Sequence, residues 1–210
     1  RGGVGMIISG YTYVSPEGKQ LPGKMGLHTD RFESDFRRLA QAVHNAGGVL
    51  AVQLVHAGGQ ADAEVSGHET VAPSAVPTAQ YKQTPAQLSK TQIGEIVKAF
   101  GRSARRAKDW GVDAVQIHGA HGYLINQFLS PLTNRRTDEY GGSVENRCRF
   151  MLEVLAEIRR TAGADYPVMI KLNAADNLEG GMETADAMTA AMQLSAAGIE
   201  VPQQSIGLDL

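Results

Sequence analysis

Two histidines and a tyrosine cluster in Ile117-His118-Gly119-Ala120-His121-Gly122-Tyr123. Imidazole N–H groups converging on a carbonyl oxygen would stabilise negative charge developing there. A neighbouring phenol can deliver a proton. The interposed glycines oppose a continuous helix, so the spacing does not place both histidines on one helical face; a turn would aim both rings at one point. A lone histidine is more often a satisfied structural residue. Two of them with a tyrosine, at a ligand-binding end of a sheet, read as a site.

Other polar residues admit two readings each. His118, His121 and His56 could ligate zinc, iron or copper, with Asp62, Glu64 or Asp113 completing the sphere. Asp113 falls at the wrong end of its strand, however, and no H-E-x-x-H pattern fixes a geometry, so no metal is assigned. Gln53 sits late in the apolar run Val49–Val55. A buried amide must satisfy both donor and acceptor, through strand-end backbone or through the donor–acceptor edge of a heterocycle. Lys171 interrupts another apolar run. It needs either a carboxylate such as Asp176 or a cofactor that becomes negative on reduction. The polar run Ser130–Arg147 reads mainly as a loop cross-linked by hydrogen bonds and ion pairs and capped onto the next helix. A P-loop, a strand-borne G-x-G-x-x-G and a G-x-S-x-G elbow are all missing.

Alternating strands and helices must position these residues. Strands are expected at Val4–Ser9, Val49–Val55, Val112–Ile117 and Pro167–Leu172. Such continuous apolar runs suit strands buried on both faces. Helices are expected over about 32–45, from Ser89 or Thr91 to Gly111, from Ser143 to Gly163, and from Thr184 to Gly198, with apolar residues three and four apart. The long excursion over roughly 57–90 reads as functional. This alternation argues for a parallel sheet, either open and doubly wound or closed into a barrel. In both, ligands bind beyond the carboxyl ends of the strands. That rule selects Ser9–Tyr11, Gln53–Gly59, His118–Tyr123 and Lys171–Asp176. The chain opens almost inside a strand. A fifth strand is due at Gly198–Val201, and Pro202–Leu210 does not read as a good buried strand. Four units make about half of an eight-unit barrel.

Composition narrows the function. The 210 residues carry 42% hydrophobic and 20% charged residues and a formal charge of −2, so no electrostatic case exists for nucleic acid or an anionic membrane as partner. The single cysteine, Cys148, excludes an internal disulfide and a cysteine-rich iron–sulfur or zinc site within the chain. No apolar run approaches the roughly 20 residues needed to span a bilayer. Arg1-Gly2-Gly3 is not a signal peptide, and a cytoplasmic location is the default expectation.

The segments His118-Gly119-Ala120-His121-Gly122-Tyr123-Leu124-Ile125-Asn126-Gln127-Phe128-Leu129-Ser130-Pro131 and Asn134-x-Arg136-x-Asp138-x-Tyr140-Gly141-Gly142-Ser143-x-Glu145-Asn146-Arg147 resemble the signature of the Old Yellow Enzyme, or NADH:flavin oxidoreductase, family. Gly3–Ile8, Gln53–Gly58, Ala72-Pro73-Ser74 and Gly180-Gly181 extend the likeness, towards the 2,4-dienoyl-CoA reductase-like and 2-enoate reductase-like subgroup. The resemblance implies a (β/α)8 TIM barrel with FMN at its carboxyl-end mouth. The strands here would be the second to fifth of eight, making residues 1–210 part of an FMN-binding barrel domain. It implies reduction of the C=C bond of a small α,β-unsaturated carbonyl or enoate with hydride from NADH or NADPH, and it leaves room for a homo-oligomer. By the same resemblance His118 and His121 would bind the substrate carbonyl oxygen, Tyr123 would donate the proton, and Gln53 and Lys171 would contact the flavin. Lys171 stands where many members have Arg, and Gly59 where Arg often follows His-Ala-Gly. A catalytically inactive barrel scaffold is the competing reading, and a metal-dependent barrel hydrolase the third.

Overall fold

The computed structural model describes residues 2–199 and 202–205. Its elements run β1 (Met6–Tyr13), β2 (Met25–Gly26), α1 (Glu33–His44), β3 (Val49–Val55), α2 (Ala63–Ser66), β4 (Val71–Ala72), β5 (Ala86–Gln87), α3 (Lys90–Asp109), β6 (Ala114–Gly119), α4 (Leu124–Leu129), α5 (Val144–Ala162), β7 (Val168–Asn173), α6 (Thr184–Ala196) and β8 (Pro202–Ser205). The main sheet has the order β2-β1-β3-β6-β7-β8, and every pair in it is parallel. From β1 through β3, β6 and β7 to β8 the order follows the chain; only the two-residue β2 lies on the far side of β1. Successive right-handed crossovers of that kind lay all helices on one face, as in a (β/α)8 barrel; a doubly wound sheet would reverse at a switch point.

Strand alternation sorts the side chains. Leu50, Val52 and Leu54 of β3, Val115 and Ile117 of β6, and Val168, Ile170 and Leu172 of β7 join Phe36, Ile93, Phe100, Phe150 and Leu155 from the helices in one buried core. Phe100, Phe128 and Phe150 are fully buried, each burial stabilising the fold by about 1.5–3 kcal/mol. The opposite face carries Gln53, Gln116, His118, Lys171 and Asn173, interleaved with the core residues. On that face β3, β6 and β7 are mixed: Ala51, Val55, Ala114 and Met169 alternate with the core residues as these polar ones do, and the polar ones gather towards the carboxyl ends.

Helix starts follow their caps. Ser89 and Gln92 form a reciprocal capping box at α3, with Gln92 Oε1 accepting from Ser89 N at 2.9 Å. Ser143 caps α5 through Asn146 N at 3.4 Å. The Ser130–Arg147 loop is cross-linked as its composition suggested. Buried Arg136 donates from Nη1 to Pro73 O at 2.9 Å and Leu88 O at 2.6 Å, and from Nη2 to Asp138 Oδ2 at 2.7 Å. It ties the 57–90 excursion to the loop before α5. Within that excursion β4 and β5 form a separate two-stranded sheet.

Three expectations need correction. The first strand is not buried on both faces: Met6, Ile7 and Ile8 are 44%, 45% and 37% exposed, because β2 pairs with β1 only at Thr12 and Tyr13. Pro202–Ser205, which did not read as a strand, pairs with β7 as β8, since parallel pairing needs only backbone groups. The expected start at Glu200-Val201 lies outside the described residues, as do Ile206–Leu210. Finally, β6 runs two residues further than expected, so His118 and Gly119 belong to the strand and only His121 and Tyr123 lie beyond it. Among the described residues no helix is long and apolar enough to cross a membrane.

Candidate functional site

At the carboxyl ends of β1, β3, β6 and β7 the strands turn over into loops, and the predicted residues meet there. The ring centroids of His118 and His121 lie 5.0 Å apart, edge to face, and those of His118 and Tyr123 4.9 Å apart. His118 is 4% exposed. Its Nδ1 accepts the backbone N–H of Ala120 at 3.2 Å, which leaves Nε2 to carry the ring proton. Burial, then the neighbouring His121 and Lys171, hold its pKa down at about 3. The imidazole is thus a neutral N–H donor throughout the physiological range.

The turn after β6 is shaped by a left-handed backbone. His121 has φ of 58° and Gly122 of 70°, a conformation that favours glycine and is uncommon for histidine. Two buried asparagines hold it. His121 N donates to Asn173 Oδ1 at 3.1 Å, Gly122 N to Asn126 Oδ1 at 2.7 Å, and Asn173 Nδ2 to Asn126 Oδ1 at 3.0 Å. The short helix α4, wholly buried, supplies Asn126 and fixes the register of Tyr123 at its cap. Close packing also demands glycine at 58: a Cβ there would stand 2.2 Å from Gln127 Oε1, and φ is +60°.

Tyr123 packs its ring edge-on to Tyr11, 5.4 Å between centroids, and donates its phenolic hydrogen to Gln20 Oε1 at 3.0 Å. Burial, the largest cause, raises the Tyr123 pKa. The phenol therefore stays protonated at neutral pH and can act as an acid. Tyr11, on a bulged stretch of β1 between Ile8 and Tyr11, is pinned through its hydroxyl to the Gly18 carbonyl.

Gln53 and Lys171 face the same side as His118. Gln53 is in register with Gln116, to whose Oε1 its Nε2 donates at 2.7 Å; Lys171 is in register with His118. Among the described residues no carboxylate lies within ion-pair distance of Lys171. Asp176 is not its partner: that carboxylate accepts from Ser130 Oγ at 2.6 Å and Met182 N at 2.7 Å. A half-buried lysine without a counter-ion, beside two amides, is a donor set suited to an electron-rich heterocycle. The His56 ring faces a carboxylate: its Nε2 lies 3.6 Å from Glu17 Oε1. Among the described residues no three His, Cys, Asp or Glu side chains are arranged to hold a metal ion.

Residues 1–207 match the family described as NADH:flavin oxidoreductase / NADH oxidase. The chain belongs to this family. A relative within it, an NADPH dehydrogenase of Halalkalibacterium halodurans, is 43% identical over 206 residues, 98% of this chain and 59% of its own length. An NADH oxidase of Thermoanaerobacter brockii is 41% identical over 210 residues, 99% of this chain and 32% of its own length. The solved structure of an old yellow enzyme homologue from Zymomonas mobilis superposes with a TM-score of 0.86 at 34% identity, covering 95% of this chain and 59% of that one. The chain thus spans at most three fifths of each of these relatives. The family resemblance and barrel class expected from the His118–Arg147 signature agree with these findings and with the chain-order succession of β1, β3, β6, β7 and β8 in the sheet.

Some residues of the site escaped the sequence reading. Gln116 carries the signal that singled out Gln53 and Lys171, a polar residue inside an apolar strand. Asn126 and Asn173 lie one turn into a helix and at a strand end, where an amide is unremarkable until its partners are seen. Gln20 comes from a loop with no periodicity to interpret.

Proposed function

We propose that the protein is an FMN-dependent oxidoreductase that uses NADH or NADPH to reduce the C=C bond of a small α,β-unsaturated carbonyl or enoate-type compound, residues 1–210 forming part of its FMN-binding barrel. The observation that carries this reading is the meeting of a neutral imidazole, a second imidazole and a protonated phenol at the strand ends, beside a lysine that no carboxylate pairs with among the described residues.

The residues fit the cofactor. Gln53 and Gln116 offer amide donors and acceptors to a heterocycle edge, and Lys171 offers a positive charge to one that becomes electron-rich. When bound, FMN supplies hydride drawn from the nicotinamide. The protein's own part is electrostatic and geometric. His118, through Nε2–H, and His121 hold the carbonyl oxygen of the substrate and receive the negative charge that moves onto it. Because His118 is already desolvated and oriented by the Ala120 N–H, it needs no reorganisation as the charge develops. Tyr123 then gives its phenolic proton to the α-carbon; its O–H bond breaks as the new C–H bond forms.

The test is optical. The flavin-loaded protein is expected to be yellow, to bleach under NADH or NADPH without oxygen, and to recover colour on addition of an enone. A folded protein that takes up no FMN, or whose bleached flavin no enone reoxidises, overturns the reading.

A further inference from the structure

Resting on that reading, we propose that Gln20 is a positioning residue for the proton donor: its amide carbonyl fixes the hydroxyl of Tyr123. The hydrogen-bond directions around it are determined by counting donors. Gln60 Nε2 spends its two hydrogens on the backbone carbonyl of His121, at 2.9 Å, and on Gln80 Oε1, at 2.8 Å. Gln60 Oε1 can then only accept, and it accepts from Gln20 Nε2 at 3.3 Å. With its NH2 group committed to Gln60, Gln20 presents Oε1 to the phenol, which donates to it at 3.0 Å. The chain of amides thus joins the Tyr123 hydroxyl to the backbone of His121, linking the acid to one of the imidazoles. Packing holds the ring from the other side, where Tyr11 meets it edge-on and is itself tied to the Gly18 carbonyl two residues before Gln20. The loop over residues 18–20 therefore grips both tyrosines.

A residue acting through Tyr123 can be told from one that merely supports the loop. Gln20→Leu is compared with wild type in the Tyr123 and the Tyr123→Phe backgrounds, following reoxidation of reduced flavin by an enone. The expected result is a roughly tenfold slowing in the first background, about 1.4 kcal/mol, and none in the second. Independently, the flavin-free protein labelled at tyrosine Cζ is titrated by NMR, the Tyr123 signal being the one lost in Tyr123→Phe. Gln20→Leu is expected to move that signal, because the phenol loses the acceptor of its hydrogen bond. Equal slowing in both backgrounds, or an unmoved Tyr123 signal, overturns the proposal. If no enone reoxidises the wild-type flavin, the functional reading fails instead, and the NMR titration alone decides whether Gln20 governs the phenol.

Discussion

The sharpest prediction concerns His118→Ala. With its pKa held at about 3, His118 is about 1% protonated at pH 5 and roughly a hundredfold less at pH 7. It acts as a neutral Nε2–H donor, and its contribution is therefore independent of pH between about 5 and 8. Removing a single preoriented donor to developing oxyanion charge in a dry site costs about 2.7–4 kcal/mol, or 10²–10³ in rate. The His118 ring is almost wholly buried, and its Nδ1 side is already engaged with Ala120, so the full range applies. Stopped-flow mixing of reduced flavoprotein with an enone reads this directly. Reoxidation should slow by two to three orders of magnitude in His118→Ala and recover in part in His118→Gln, which returns an N–H at similar reach. A variant within threefold of wild type would refute the reasoning. So would a rate step between pH 5 and 8 that vanishes with the imidazole, because the ring would then be titrating where burial and Lys171 forbid it.

Other outcomes follow from the same geometry. Tyr123→Phe should slow enone-driven reoxidation by about 10²–10⁴; unaltered reoxidation would remove the phenol from the chemistry. Arg136→Met should destabilise the fold by about 3–5 kcal/mol in denaturant titration, since it strands Asp138 and the Pro73 and Leu88 carbonyls; a change under about 1 kcal/mol would show that the latch contributes little. Glu17 has its folded-state pKa lowered to about 2: burial pushes it upward, but the His56 imidazole outweighs that. A depressed carboxyl stabilises the fold fully above its unfolded pKa of about 4.5 and loses that stabilisation as pH falls towards 2. Glu17→Gln should therefore flatten the melting temperature across that acid window; parallel curves for variant and wild type would contradict the assignment.

The sequence was legible where one physical rule acted locally. The Val49–Val55 run became β3 with those bounds, and Ser89 and Ser143 marked helix starts because a cap needs only its own first turn. The His118–Tyr123 cluster was readable because strand ends collect ligands. What escaped depended on distant partners. Apolarity at Met6–Ile8 implied burial, but burial requires a neighbour, and β2 reaches only the far end of β1. β8 forms through backbone pairing with β7, which side-chain pattern does not encode. α4 is too short, at six residues, for periodicity to announce it. Lys171 was singled out by its type, yet Asp176 proved to be engaged with Ser130 and Met182, a choice made by loop geometry.

The alternation along β3, β6 and β7 separates two kinds of selection. Residues facing the helices are constrained by packing volume, where a lost methylene is felt as stability. Their immediate neighbours in sequence, Gln53, Gln116, His118 and Lys171, answer to whatever occupies the mouth. Substitutions at this second set can redirect chemistry while the scaffold keeps its margin, so a library that varies only these inward positions explores new reactivity with few unfolded members.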